Sequence, residues 1–301
     1  MTGADDATGP VTSIAIIGAG AIGGTIAAWL AQSSHHAVTL CVRTPITDLE
    51  IETPEGLIRA SPRVITDPEA AEPVDWILAA TKAYDSAAAA LWLPRLTGPG
   101  TRIAVLQNGV EHRERFRDLA AADRIVPAIV DIPAERSAPG RIRQRRTGTI
   151  LVPDDTAGRA FVDLFAGTPI AVSTTPDFVT AAWRKLAVNC AGIVNALTLR
   201  PAEVANDPGI AEVMRGLVAE CVAVGRAEGA DMPDSLPDTV VAGYRAAPPD
   251  SINSIHADRL AGRAMEIDAR NGVIVRLGER HGIPTPYNRM AAAVLASQST
   301  A

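Results

Sequence analysis

The sequence predicts an α/β protein in two parts: a parallel sheet covered by helices on both faces, then an all-helical region. Three observations predict it. Apolar strand-like runs alternate with helical stretches over the first half of the chain. After Thr174-Thr175-Pro176-Asp177 only 3.6-residue periodicity remains. A glycine cluster, Gly18-Ala19-Gly20-Ala21-Ile22-Gly23, sits between the first apolar run and the first helical one. A length of 301 residues suits two domains better than one core. With 47% apolar and 21% charged residues, the chain reads as an ordinary globular protein.

Residues 1–12 are small, polar and acidic, without the basic start and apolar middle of a secretory signal, and read as a flexible leader. From Val11 to Val42 there is no charged side chain, a span that a hydropathy window would score as a membrane helix. Gly18, Gly20, Gly23 and Gly24 break it near the front and Gln32-Ser33-Ser34-His35-His36 behind. It therefore parses as strand, helix, strand, buried on both faces. The expected elements are a strand over 13–17, a helix over 21–32 and a strand over 37–42. A looser stretch follows, then a strand over 76–80, a helix over 86–96 and a strand over 102–106. A helix near 111–121 and a strand over 125–132 complete the alternation. Residues 139–152 read as a basic hairpin carrying Arg141, Arg143, Arg145 and Arg146, either a sheet edge blunted by charge or a phosphate-binding strand. Helices are expected over 178–197, 210–228, 237–245, 256–281 and 287–297, with prolines at the joins. The boundary falls near residue 175, giving domains over 13–175 and 176–301.

The glycine cluster is G-x-G-x-x-G in the strand–turn–helix context that gives the pattern meaning. It marks the first domain as a Rossmann dinucleotide-binding domain. Gly18 permits the tight turn, Gly20 lets the backbone approach a pyrophosphate, and Gly23 lets helix and strand pack closely. Ala19, Ala21 and Ile22 complete the cofactor loop, and the helix N-terminus offers its N–H groups to the phosphates. An NAD enzyme usually carries an acid at the end of the second strand to hold the ribose. Here that strand ends Val42-Arg43-Thr44 and no acid follows until Asp48. A guanidinium pairs with a 2′-phosphate that a carboxylate would repel, so NADP(H) is favoured over NAD(H). The alternative for Arg43 is an exposed strand end.

Of 28 basic residues 26 are Arg, and the two lysines are Lys82 and Lys185. A lysine kept in such a chain points to a place where Arg will not serve, because only the ammonium can give up a proton. Lys82 lies just past a strand, at the sheet edge where ligands of such folds bind. Lys185 lies on the first helix after the boundary, and Asn189, four residues on, shares its face. Such a pair can bind and protonate a carbonyl oxygen; the alternative for either lysine is a solvated surface position.

With these residues in hand, the chain resembles the ketopantoate reductase (2-dehydropantoate 2-reductase) family over nearly its whole length. The ordered motifs are the glycine fingerprint, Arg43, Lys82, Gln107-Asn108-Gly109, Trp183-Arg184-Lys185-Leu186 with Asn189, and Ser254 with Asp258. Gly262, Glu266-Ile267-Asp268, Asn271-Gly272 and Gly282-Ile283-Pro284-Thr285-Pro286 follow. The resemblance implies a Rossmann domain and an all-helical domain of 6-phosphogluconate-dehydrogenase-like type. It also implies roles. Lys185 is the general acid, Asn189 hydrogen-bonds the same region, and Ser254 binds the carboxylate or carbonyl end of the substrate. Glu266 contacts the cofactor or sets the state of Lys185, and Lys82 and Asn108 hold the cofactor. For Glu266 the alternative is a helix salt bridge to Arg270, and for Ser254 a helix N-cap. One departure stands out: eight residues after the lysine, where the family has a second substrate-binding Asn, this chain has Ile193. Asn195 is two residues too late, roughly 160° away around an ideal helix. Either the helix is distorted or that contact is absent.

The expected function is therefore NADPH-dependent reduction of a small 2-keto acid, 2-dehydropantoate to (R)-pantoate in pantothenate biosynthesis. A different carbonyl or imine substrate on the same scaffold is the first alternative. A non-catalytic NADP(H)-binding sensor is the second, and the intact Lys185–Asn189–Ser254–Glu266 set argues against it. The net charge of −6 argues against a nucleic-acid partner. Three scattered cysteines argue against a disulfide framework and for a cytoplasmic protein. The five histidines show no ligand spacing, so no metal is expected. Cys190 reads as core packing rather than a nucleophile. The many alanines of the helical domain allow close packing, and a homodimer is an expectation.

Overall fold

A computed structural model of the chain describes residues 11–298. Two compact units divide it: residues 11–107 with 112–176, and residues 108–111 with 177–298. The flexible leader expected over 1–12 lies outside the described residues except at its end, where Thr12 already belongs to the first strand.

In the first unit, β1 (Thr12–Ile17), α1 (Ala21–Leu30) and β2 (His36–Cys41) form the opening βαβ unit. This is the uncharged span, and among the described residues no helix is long and apolar enough to cross a membrane. Next come β3 (Leu49–Thr53), β4 (Gly56–Ala60), β5 (Arg63–Ile65), β6 (Trp76–Ala79), α2 (Ser86–Ala90), α3 (Leu93–Leu96), β7 (Arg102–Val105) and β8 (Ile125–Pro127). A parallel six-stranded sheet runs in the order β5-β2-β1-β6-β7-β8, the doubly wound Rossmann order, with its switch point between β1 and β6. Period-2 alternation divides its core. Ile14 and Ile16 pack into one apolar cluster, Ala15 and Ile17 into another, as a sheet covered on both faces requires.

Three expectations for this unit are corrected. The stretch read as loose holds a hairpin, β3 and β4, turned at Pro54-Glu55. No helix forms over 111–121. Successive turns wrap instead around Phe116, which is fully buried and whose carbonyl accepts from Leu119 N and Ala120 N. One large apolar anchor cannot supply a helical stripe. The basic residues do not form a hairpin over 139–152. β9 (Ile129–Asp131), β10 (Ala134–Ala138), β11 (Arg141–Gln144) and β12 (Thr149–Pro153) are separate strands, and the hairpin is β10–β11. Nor is β11 an edge: it lies between β10 and β3 in a four-stranded sheet. There Arg141 meets Asp48 and Glu50, and Arg143 meets Glu52, all from β3 or the residue before it. Arg145 and Arg146 pair with Glu135 and Asp131. The charge run is thus a cross-strand ion-pair ladder. β12 joins β9 and β13 (Ala171–Thr175) in a three-stranded sheet beside α4 (Thr156–Asp163).

The second unit is helical: α5 (Phe178–Ala191), α6 (Ile193–Thr198), α7 (Pro208–Ala227), α8 (Leu236–Ala246), α9 (Ser254–Leu260), α10 (Val273–His281) and α11 (Pro286–Ala296). Asp177 caps α5 by accepting from Thr180 N at 3.0 Å, and Asp207 caps α7. The long periodic stretch over 256–281 is not one helix. It holds α9, a turn and an irregular segment, a single π-turn (Asp268–Gly272) and α10.

Phe161 of α4 is buried, with its ring tilted against Trp76 at 5.5 Å and Phe165 at 5.1 Å. Phe161→Ala is expected to cost about 3–5 kcal/mol, seen by calorimetry as a lowered melting temperature of the sheet unit. A loss under ~1 kcal/mol would mean that this aromatic cluster does not anchor α4.

Candidate active site

The glycine loop follows β1 directly. Gly18 sits at φ +99°, and a Cβ there would lie 3.1 Å from Thr81 Cγ2 and 3.2 Å from Thr81 N. A Cβ on Gly23 would lie 2.0 Å from the Gly18 carbonyl oxygen and 2.9 Å from Ala80 Cβ. α1 therefore reaches the sheet edge only because residue 23 has no side chain. Gly20 is the helix N-cap, without a side-chain cap, and a Cβ there would meet nothing within 4 Å. The helical hydrogen bonds begin with Gly24 N donating to Gly20 O at 2.9 Å. The N–H groups of Ala21, Ile22 and Gly23 are thus first-turn donors with no intrahelical acceptor, at the positive end of the helix and with no acid in the first turn. This is a cradle for a pyrophosphate, and the residues present fit a dinucleotide.

Around the same edge, Arg43 follows β2 with its side chain 78% exposed and a loose 3.3 Å ion pair to Asp85. A pair this exposed is easily exchanged for a stronger anion. Lys82, half-buried, follows β6 at the start of a 3₁₀ turn. Gln107, two residues past β7, donates from Nε2 to Thr81 Oγ1 at 2.9 Å and accepts from Ser86 Oγ at 3.0 Å. It ties together the loops after β6 and β7, the carboxyl edge where ligands of such sheets bind. Neither Thr81 nor Asp85 was singled out by the sequence reading. Thr81 is next to Lys82 and Asp85 three residues on, and the sequence carries no other signal for either.

In the helical unit, Lys185 and Asn189 lie half-buried on one side of α5, beside the core face formed by Trp183, Leu186, Ala187 and Cys190. Cys190 is fully buried and donates from Sγ to the Ala187 carbonyl at 3.2 Å, which suits packing. The helix is interrupted at Gly192, where a Cβ would strike Tyr244 Oη at 2.4 Å and Asn253 Nδ2 at 2.5 Å. The interruption does not bring Asn195 into the missing role. Asn195 is buried, donates to the Arg200 carbonyl at 3.0 Å and accepts from Asn253 Nδ2 at 3.1 Å. Ile193 is wholly buried in the apolar core.

The remaining candidates gather around the π-turn. Asn108, in the short segment that belongs to this unit, donates from Nδ2 to Glu266 Oε2 at 2.9 Å. Glu266 is only 5% exposed. The turn is held on α5 by Asn271, whose Nδ2 donates to the Cys190 carbonyl at 3.1 Å. Ser254 is exposed and is the first residue of α9. The N-cap is Asn253, which accepts from His256 N at 3.0 Å. Arg270 Nη2 donates to Ser254 Oγ at 2.6 Å, and the charge of Glu266 acts on the same guanidinium. The sequence had offered Arg270 only as a salt-bridge partner, and nothing in its spacing pointed to Ser254.

Gly18 to Gly23, Arg43 and Lys82 thus share the sheet unit, and Asn108, Lys185, Asn189, Ser254 and Glu266 share the helical one. Among the described residues no group of three His, Cys, Asp or Glu side chains could hold a metal ion.

The family description "Ketopantoate reductase PanE/ApbA" matches residues 14–156, and "Ketopantoate reductase PanE/ApbA C terminal" matches residues 177–298. The chain belongs to the ketopantoate reductase family. It is 65% identical over 285 residues to the 2-dehydropantoate 2-reductase of Caulobacter vibrioides, covering 95% of this chain and 98% of that one. Among solved structures it is similar to a PanE/ApbA family ketopantoate reductase from Ralstonia eutropha JMP134, with TM-score 0.87 and 31% identity over 95% of this chain and 98% of that one. It is also similar to a dimeric ketopantoate reductase from Staphylococcus aureus, with TM-score 0.85 and 26% identity over 95% and 98%. Ketopantoate reductases are NADP-dependent oxidoreductases, which agrees with Arg43 where an NAD enzyme carries an acid.

Arg43→Ala is expected to weaken NADPH binding about tenfold or more, the scale of one charge-assisted pair, and to leave NADH within about twofold. Fluorescence titration of both cofactors checks this. Equal weakening of the two would remove Arg43 from 2′-phosphate recognition.

Proposed function

We propose that this chain reduces 2-dehydropantoate to (R)-pantoate with NADPH in pantothenate biosynthesis, with Lys185 as general acid. The observation that carries the reading is Lys185 with Asn189 on one face of α5, in a unit that also gathers Asn108, Glu266 and Ser254. The cofactor, when bound, supplies hydride. Gly18, Ala19, Gly20, Ala21, Ile22 and Gly23 would hold its pyrophosphate, and Arg43 its 2′-phosphate. Lys82 and Asn108 would help to fix it.

The chemistry follows from charge. As a ketone takes up hydride, its oxygen becomes an alkoxide. An ammonium beside that oxygen stabilises the charge and then gives it a proton. Asn189, one turn along α5, would donate a hydrogen bond to the same oxygen. Ser254 would bind the carboxylate or carbonyl end, and Glu266, held by Asn108, would contact the cofactor or help to set the state of Lys185.

A homodimer is part of the proposal. It is supported by the dimeric Staphylococcus aureus relative and by α11, which exposes Tyr287, Met290 and Val294 at helical spacing. A cytoplasmic location is supported by three buried free thiols, which suit a reducing compartment.

Lys185→Ala is expected to lower kcat for 2-dehydropantoate about 10²- to 10⁴-fold while leaving the NADPH dissociation constant within about twofold. Steady-state NADPH oxidation and fluorescence titration read the two. Near-native turnover in Lys185→Ala, or a native protein that reduces generic keto acids as fast as 2-dehydropantoate, would defeat the reading.

A further inference from the structure

Arg270 is a buried cation whose surroundings do not explain it. The residue is 3% exposed, yet among the described residues its one hydrogen bond runs from Nη2 to Ser254 Oγ, and Nε has no acceptor. Burying a guanidinium is expensive unless carboxylates or several hydrogen bonds compensate. The carboxylates of Glu266 and Asp258, whose charges act on it, also serve other donors. Glu266 accepts from Asn108 Nδ2, and Asp258 accepts from Arg263 Nε at 2.9 Å. Burial pulls Arg270 below the ordinary arginine value and Glu266, Tyr244 and Asp258 push it back up, but a guanidinium keeps its charge throughout.

The geometry gives that charge an outlet. Ser254, exposed at the start of α9, accepts from Arg270 beneath it. A hydroxyl oxygen fixed in this way turns its own O–H outward and becomes a stronger donor, because hydrogen bonds in series polarise one another. The π-turn that carries Arg270 is tied to α5 through Asn271 and the Cys190 carbonyl, one residue past Asn189. The polarised hydroxyl and the Lys185–Asn189 face thus belong to one packed unit.

We propose that Arg270 is a positioning and specificity residue: through Ser254 it selects substrates that carry a carboxylate over uncharged carbonyl compounds. The inference rests on the proposed reduction and narrows it, making the acid, not its lactone or an ester, the form bound. It also offers a source of substrate affinity in a chain where Ile193 supplies no polar contact.

The test compares 2-dehydropantoate with its uncharged lactone. NADPH oxidation gives KM and kcat, and calorimetric titration in the presence of NADP⁺ gives dissociation constants. In Arg270→Met, KM and the dissociation constant for the acid are expected to rise about tenfold or more, the effect of a lost charge-assisted bond, with kcat within about threefold and the lactone within about twofold. Arg270→Lys should restore most of the preference. Ser254→Ala should lose it, and adding Arg270→Met to Ser254→Ala should cost little more, because both act through one hydroxyl. Ser254 is exposed, so its variant and Arg270→Lys decide the matter if Arg270→Met does not fold. An unchanged preference in the variants, or equal weakening of acid and lactone, overturns the inference while the reductase reading stands. A native protein that binds the acid without reducing it defeats that reading alone, and the titrations still judge Arg270. One that binds neither compound defeats both.

Discussion

The candidate site depends first on a missing atom. The carbonyl of Gly18 lies so close to residue 23 that a Cβ there would sit 2.0 Å away, well inside contact distance. That closeness sets α1 against the ends of β1 and β6 and presents its first-turn N–H groups at the switch point of the sheet. The same packing brings Gly18 against Thr81, and Thr81 is in turn held by Gln107. One side-chain-free contact therefore aligns three loops, those after β1, β6 and β7.

The helical unit solves a different problem, which is holding polar residues in place inside an apolar core. It does so with buried carboxylate and amide groups that reach main chain far away in sequence. Glu220 of α7 accepts from the N–H groups of Tyr287 and Asn288, so it caps the first turn of α11 from another helix. Asn288 donates to the Leu217 carbonyl and accepts from Asn271, which itself donates to the Cys190 carbonyl. These links run from α7 through α11 and the π-turn to α5. Removing one member would leave the others buried without partners, which is costly. The π-turn adds a residue to the helical path, and such turns commonly accompany functional positions. Here it carries Arg270 beneath Ser254.

The parts legible in the sequence were those with a strong local signal. β1, α1, β2, β6 and β7 announce themselves by apolar runs buried on both faces, and α5, α7 and α11 by long periodicity. Where burial is one-sided or the anchor is a single residue, the signal fails. Glu50-Ile51-Glu52 alternates like an exposed strand but is too short and too charged to outweigh a loop reading, and Phe116 alone does not distinguish a helix from a series of turns. The site was legible to the same degree. Lys185 and Asn189 follow from spacing within one helix, whereas the Asn108–Glu266 and Arg270–Ser254 bonds join residues 158 and 16 positions apart. No periodicity reports such pairings. Asn195 shows the reverse case, a residue of the right type whose side chain is fully engaged with Arg200 and Asn253.

The imbalance between arginine and lysine now has a physical shape. Most arginines near acids are surface partners: Arg141 bridges Asp48 and Glu50, Arg215 meets Asp238, and Arg289 meets Glu279. A planar fork suits such pairing, and a charge that is never lost suits a structural cation. The same permanence disqualifies arginine from delivering a proton, so the proposed reduction needs the other cation. One lysine stands in each unit, Lys82 at the carboxyl edge of the sheet and Lys185 on α5. Arg270 completes the division of roles. Buried and permanently charged, it can shape a field around a carboxylate without competing as an acid for the ketone oxygen. In the proposed scheme, the fixed charge of Arg270 beneath Ser254 and the labile proton of Lys185 separate binding from chemistry within a single packed unit.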